Sequence, residues 1–431
     1  MITLTSTALL LTVATRVVTL DDALETARAH QPLLRQARAA SEAASAVADE
    51  ARAPLLPQVA ATADYARATA NFIFRPGVPA GSAATVSSNS SSTTYNFFSS
   101  GVTVYQLLYD FGQTGQRWRA QRASAEATAL LESSAAQQVE LTVRATFFGA
   151  RANRALAAVA EQTVANLRRH RDQTQAFVGA GTRPDIDLYQ SRSDLAAAEV
   201  QLINATNNYS QSRAQLNQAM GVEGPIDFEV ADGSPGPMPG EDAPTDALLA
   251  EAVKLRPEVA SLADQVHAQQ LTLRSVRGQY GPSIAAVAGL ADGGDALDRL
   301  NWNAQAGVSL TWILYQGDAT RATLREVEAR IRGLNAQVDT LRQQIRLQIE
   351  QVRLAIVAAK ASQVGAREAQ ANARVRLQLA EGRYQAGVGN IIELSDAQVA
   401  LTSAATQVVL AEFQLATARA QLIQALGRAG S

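Results

Sequence analysis

GVTVYQLLYDFGQTGQR (residues 101–117) and GVSLTWILYQGDATRA (307–322) decide the fold. Each starts as a short run of β-branched and aromatic residues, crosses a glycine-bearing break and opens a long proline-free segment. The two stretches lie 206 residues apart, and the match extends beyond them. Gly101, Tyr109, Gly181, Leu188, Leu216 and Gly221 recur as Gly307, Tyr315, Gly387, Leu394, Leu422 and Gly427 at that offset. Upstream, Leu24, Pro32 and Pro57 recur as Leu249, Pro257 and Pro282 at an offset of 225. The offset therefore drops by 19 once, between Pro57 and Gly101, which marks an insertion in the first copy. The Ser-rich run GSAATVSSNSSSTT (81–94) falls in that interval and reads as a flexible loop. The chain is an internal duplication.

The copies are separated by VEGPIDFEVADGSPGPMPGEDAPTD (222–246), which holds five of the 13 prolines. The boundaries follow. Residues 1–18 form a residual signal or N-terminal tail, with a short apolar run at Ala8–Ala14 but no basic leader. Residues 19–221 form the first copy: a helix, a β-hairpin over 57–111, a long helix over 112–178 and a helix over 184–220. Residues 222–246 are the linker. Residues 247–431 repeat the pattern, with a hairpin over 282–316, a long helix over 317–386 and a helix over 390–427.

Local chemistry supports each assignment. Thr19 and Asp22 are spaced as a helix N-cap and its reciprocal acid, and Pro54 marks that helix's end. Over 57–70 the period changes to two, with Val59, Ala61, Ala63 and Tyr65 opposite Gln58, Ala60, Thr62 and Asp64. The second copy keeps the phase in Ile284, Ala286, Ala288 and Leu290. The returning strand alternates less cleanly, with Tyr105, Leu107 and Tyr109 on one face but Val104 and Leu108 on the other. In the proline-free segment, Val139, Val143, Thr146, Ala150, Asn153, Ala157, Ala160, Val164 and Leu167 follow spacings of four and three. Such a heptad stripe predicts a coiled coil. Helical throughout, the segment would run about 100 Å, too long to cross a compact domain.

Composition narrows the function. Basic and acidic residues nearly cancel, 38 against 40, which leaves no footprint for nucleic acid. Cysteine is absent, which removes disulfides, thiolate metal sites and cysteine nucleophiles. His30, His170 and His267 share no ligand spacing and are expected at the surface; no cofactor or metal is implied. No nucleophile sits on a GxSxG-type elbow, so no enzyme constellation is visible. No run of about 18 apolar residues is evident, so no membrane-spanning helix is expected. Aromatic residues cluster in the hairpins: segments 53–74, 93–111 and 280–315 hold 13 of 22. Amphipathic rings at strand ends suit the two interfaces of a membrane β-barrel. Four strands cannot close such a barrel, and open edges are not tolerated in lipid, so several chains must each donate four. Periodicity leaves two, three or four chains open. A soluble periplasmic coiled-coil adaptor or scaffold is the alternative, and it leaves the aromatic hairpins unexplained.

The order, spacing and repetition of these blocks resemble the TolC family of outer-membrane efflux proteins. The resemblance runs over residues 19–428 and includes VTLDDALETARAHQPLL (18–34), GAGTRPDIDLYQSRSDLAAAE (179–199) and QAGVGNIIELSDAQVALTSAA (385–405). It implies a mixed α and β membrane protein, a homotrimer with a 12-stranded β-barrel in outer-membrane lipid and an α-helical periplasmic tunnel. The 222–246 linker would lie in the equatorial region. It further implies a passive exit duct of a Gram-negative cell, fed by a periplasmic adaptor and an inner-membrane pump of RND or ABC type, in efflux or type I secretion. Onto this sequence the resemblance carries Glu393 and Asp396 as an acidic pore constriction, and Asp187 and Tyr384 as members of a closing network. The network's arginine position is Gly389 here, and Arg183, its equivalent in the first copy, is the substitute. The turns bearing Gly179, Gly181, Gly387 and Gly389 would meet the adaptor. Glu393 and Asp396 also suit a helix N-terminus as plain capping acids, with Asn390 as N-cap. Tyr384 could equally be ordinary packing before a turn.

Overall fold

The computed structural model describes residues 16–69, 94–233 and 236–428. Element lengths repeat between the copies. The first copy contains α1 (Leu20–His30), α2 (Pro32–Arg52), a 3-10 turn, β2 (Gln58–Thr69), β3 (Thr94–Tyr109), α3 (Gln113–Gly179) and α4 (Asp185–Met220). The second contains α5 (Thr245–Leu255), α6 (Pro257–Gly278), β5 (Ser283–Gly294), β6 (Asn301–Thr311), α7 (Ala319–Gln385) and α8 (Ile391–Leu426). Two short strands complete the set, β1 (Arg16–Val18) and β4 (Phe228–Val230). The long helices α3 and α7 have 67 residues each and start 206 apart. The helices α4 and α8 have 36 each at the same offset. Most of the Ser-rich insertion and the Ala8–Ala14 run lie outside the described residues.

The chain divides into two units. One comprises residues 42–127 and 263–336 and carries a four-stranded antiparallel sheet of order β2-β3-β5-β6. Paired residues share a face, so the register sorts the side chains. Val59, Ala61 and Tyr65 pair with Val104, Val102 and Phe98. Val102 and Val104 pair with Leu290 and Ala288. Leu290, Ala288, Ala286 and Ile284 pair with Ala304, Ala306, Val308 and Leu310. That face is mostly apolar on all four strands, with Ser100, Gln106 and Asp292 among its polar exceptions. The other face carries Gln58, Thr62 and Asp64, then Thr103 and Ser99, then Gln305, Asn303 and Asn301. A bulge between Leu107 and Tyr109 shifts Tyr109 opposite Ile284, on the apolar side. This shift explains the blurred alternation of the returning strand. Edge strands β2 and β6 each have one partner among the described residues. The apolar side chains lie open, Val308 at 69% and Trp302 at 76% exposure. In the same unit α3 and α6 meet through Ala120, Ala123, Ala268 and Leu271.

The strand-to-helix corner needs two consecutive left-handed residues. They are Phe111 (φ 53°) and Gly112 (φ 81°) in the first copy, and Gly317 (φ 62°) and Asp318 (φ 63°) in the second. One glycine per corner lowers the strain of that pair.

The other unit comprises residues 16–41, 128–262 and 337–428 of the described chain and holds the main core. Each copy builds an equivalent cluster. In the first, Ala23 and Ala27 of α1 meet Val139, Val143 and Ala150 of α3 and Leu216, Ala219 and Met220 of α4. In the second, Leu248 and Ala252 of α5 meet Ile345, Ile349 and Ile356 of α7 and Leu422, Ala425 and Leu426 of α8. Each fully buried Ile or Leu contributes about 2 kcal/mol. The predicted capping box forms, with the Asp22 amide donating to Thr19 Oγ1 and the Thr19 amide to Asp22 Oδ2. The first and fifth helices stop one residue before Pro32 and Pro257, because the residue ahead of proline is driven from the α region. Gly221 (φ 71°) caps α4 against this break; a Cβ there would lie 2.6 Å from Gln31 Cα.

Three expectations need correction. Residues 16–18, assigned to the tail, form β1, which pairs parallel with β4 of the linker; Val18 is buried by that pairing. The linker is thus partly ordered structure, and α5 begins inside it, at Thr245. Helix α8 is long and apolar enough to cross a membrane by length and composition. Its apolar character has another use: Ala416 and Ala420 enter the first core cluster, and Leu415, Ala418 and Leu422 the second.

Two exposed apolar seams remain on this unit. On α7, Leu347, Leu354, Val357, Val364, Val375 and Leu379 are more than half exposed, at spacings of seven, three, seven, eleven and four. On α4, Ile186, Tyr189, Val200 and Ile203 do the same at three, eleven and three. The α4 set follows a heptad phase, and the α7 set follows one as far as Val375.

Candidate functional site

The site forms where α3 turns into α4 and α7 into α8. Gly181 (φ 71°) and Gly387 (φ 80°) supply the left-handed residue at each turn. Gly179 and Gly389 do not. Gly179 is the last residue of α3. Gly389 is needed for closeness, since a Cβ there would lie 3.0 Å from the Tyr384 amide nitrogen. The Gly389 amide instead donates to the Arg383 carbonyl at 2.9 Å.

Tyr384, at the end of α7, is 3% exposed and packs with Leu377, Ala380, Leu394 and Ala397. Its phenol lies 3.4 Å from Asp187 Oδ2 on α4 and 3.3 Å from Thr174 Oγ1 on α3. Burial pushes the phenol pKa up, and the nearby Asp187 carboxylate adds to the shift. Arg183 seals the ring: its guanidinium sits 4.4 Å from the ring centroid and donates to the Tyr384 carbonyl at 2.9 Å. The structure therefore joins three predicted residues, Asp187, Arg183 and Tyr384, in one contact. Thr174 and Phe177, which packs edge-on to Tyr384, complete it.

Glu393 and Asp396 lie three apart in the first turns of α8. The Asn390 side chain accepts from the Glu393 amide at 2.7 Å, as an N-cap does. The Glu393 carboxylate also pairs with Arg383 at 3.2 Å. Asp396 is exposed. A neighbouring cation thus offsets one of the two acids, and the other stands open.

Of the histidines, His30 and His267 are exposed as expected. His170 is not: its side chain is 12% exposed and lies 3.1 Å from Glu381 on α7. No cluster able to hold a metal exists among the described residues.

A sheet with one mostly apolar face and one more polar face and, among the described residues, two unpaired edges, on a chain of long helices with exposed seams, fits a subunit of a membrane channel. The sequence profile of the Outer membrane efflux protein family matches residues 23–222 and 248–428, and the chain belongs to that family. It is a non-enzymatic outer-membrane channel of tripartite efflux systems, with a periplasmic helical extension; the family implies a trimer. Solved structures with this fold include the CmeC outer membrane channel of Campylobacter jejuni, at 16% identity and TM-score 0.80, covering 95% of this chain and 85% of that one. The outer membrane protein VceC of Vibrio cholerae matches at 16% identity and TM-score 0.77, covering 95% and 96%. The open-state MtrE channel of Neisseria gonorrhoeae matches at 18% identity and TM-score 0.76, covering 95% and 88%. No curated protein sequence gives a significant match.

Proposed function

We propose that three copies form a passive exit duct that receives substrates from a periplasmic adaptor and an inner-membrane pump of RND or ABC type. The same duct suits small-molecule efflux and type I secretion. The observation that carries this reading is the sheet: four strands, one face for lipid, one for water, and two edges seeking partners. At 11 or 12 residues, β2, β5 and β6 are long enough to cross a bilayer when tilted. The exposed seams of α4 and α7 give the helices the same need for a neighbouring copy. The turns at Gly179–Gly181 and Gly387–Gly389 are the proposed adaptor contacts. Tyr384, Asp187 and Arg183 hold the closed state, with Arg183 supplying the cation that Gly389 cannot.

Glu393 and Asp396 are the proposed constriction, a pair of rings of three carboxylates. Such rings concentrate cations within a Debye length of about 8 Å. Planar-bilayer recording tests this. Divalent cations added on the periplasmic side should block wild-type conductance, and Glu393→Gln with Asp396→Asn should relieve the block. Asp396→Asn alone should relieve more than Glu393→Gln alone, because Arg383 already offsets Glu393. Block that survives the double substitution unchanged would reduce both acids to helix-start residues.

A further inference from the structure

A groove of about 550 Å³ lies among α3, α4 and α8, above the Tyr384 contact. Its volume is that of a small-molecule site. Leu156, Val159 and Leu167 of α3 and Val399 of α8 supply apolar wall. Most hydroxyls are satisfied within the protein; Thr163 and Thr402, for example, bond each other at 3.1 Å.

Two acceptors retain capacity, one of them wholly unpaired. Gln398 is 3% exposed, lines the groove, and its Oε1 is buried with no hydrogen-bond partner. A buried acceptor left unpaired costs about 1–3 kcal/mol, which a donor from outside would recover. Asp194 also lines the groove. Its carboxylate accepts from Gln190 Nε2 and from Ser395 Oγ, both at 2.8 Å. Both donors are neutral, and a carboxylate has capacity for about two more bonds. Ser395, which touches Asp194, is three residues from Gln398 and shares its helix face. The two acceptors therefore belong to one polar end of an otherwise apolar groove. Nothing in that end offers a cation, so the matching ligand must bring one. A hydrated divalent ion fits poorly, because one carboxylate and one amide are too few oxygen ligands.

We propose that this groove binds amphipathic amines, with the ammonium hydrogen-bonded to Asp194 and Gln398 and the apolar body against Leu156, Val159, Leu167 and Val399. The inference rests on the groove and needs no pump, adaptor or conductance.

The test uses the full-length trimer in lipid nanodiscs and dansylcadaverine, a primary amine on an apolar fluorophore. Fluorescence titration should show saturable binding, one probe per protomer, above empty nanodiscs. N-acetyl-dansylcadaverine, which lacks the charge, should bind at least tenfold more weakly. Asp194→Asn should weaken the amine at least tenfold and leave the acetylated probe unchanged. Gln398→Leu should weaken the amine severalfold; it removes an unpaired polar atom, so it serves if Asp194→Asn fails to assemble. Absence of saturable binding overturns the proposal, and would mean that a neighbouring copy or lipid fills the groove. Equal affinity of the amine for wild type and both variants also overturns it. Either failure with normal channel conductance leaves the duct intact, so the two readings fail separately.

Discussion

Replacing Glu241 with Gln should loosen the linker where it meets α7 and α8. Glu241 is 5% exposed. Its carboxylate accepts from Arg419 Nε at 2.9 Å and Nη2 at 3.1 Å, and from the Met238 amide at 3.0 Å. Lys360 Nζ approaches to 2.7 Å and also bonds Asp242. Burial raises the Glu241 pKa, but the bonds from Arg419, Lys360 and Met238 outweigh it and hold the carboxyl at about 2, against an ordinary 4.5. At 1.36 kcal/mol per pKa unit, the ionised form is favoured by about 3 kcal/mol in the folded state. The folded pKa is the lower one, so this stability is fully present above pH 4.5 and is lost as pH falls toward about 2. Gln keeps the shape but removes the negative charge that faces the Arg419 guanidinium, itself 7% exposed. Breaking a buried ion pair from one side costs about 3–5 kcal/mol. Urea unfolding of the detergent-solubilised protein at pH 7 should therefore show a loss of about 3 kcal/mol. Hydrogen exchange should quicken at the amides of Glu241 and Ala243, which bond Met238 and Gly240 carbonyls. Adding Arg419→Met should recover most of the loss, and the gap between wild type and Glu241→Gln should close between pH 4.5 and about 2. A single variant within about 0.5 kcal/mol of wild type, or a gap indifferent to acid, would refute the ionic account of the linker.

Three further outcomes follow from particular contacts. Arg183→Ala removes a charge-assisted hydrogen bond and a cation–π contact, together about 2 kcal/mol per protomer; bilayer recording should show a markedly higher open probability, and an unchanged trace would mean that Arg183 only packs on Tyr384. Val200→Asp with Ile203→Asp puts charge on the exposed α4 seam and should shift the assembly toward monomer on size exclusion while helical content stays. Gly221→Ala forces a Cβ against Gln31 at a residue with φ 71° and should lower unfolding free energy by more than about 1 kcal/mol, with a smaller loss pointing to slack in the α1–α2 break.

The duplication was legible because it is written in residues whose backbone roles are strict. Pro32 and Pro257 break the same helix, and Gly221 and Gly427 cap the same one. Gly181 and Gly387 turn the same corner. The sheet's apolar face was legible in strand β2 from strict alternation, and illegible in β3 because the bulge at Leu108 reverses the phase without any local marker. Arg183 was found by its offset from Gly389 alone. Thr174, Phe177 and Arg383 were missed: Thr174 and Phe177 meet Tyr384 from a helix far away in sequence, Arg383 reaches Glu393 across the turn between α7 and α8, and none repeats between the copies. The Glu241–Arg419 pair was missed for the same reason, since a charged residue in a proline-rich linker looks exposed. His170 escaped because a single histidine in a long amphipathic helix carries no sign of which face it occupies.

The most direct test of the central claim is the mass of the complex extracted in detergent, measured by light scattering with the detergent contribution removed. Four strands with free edges and two exposed helical seams predict several chains in one particle, and the family sets their number at three, of 45.6 kDa each, released from membranes by detergent and not by salt. A monodisperse particle of a single chain, with strand and helix content intact, would contradict it.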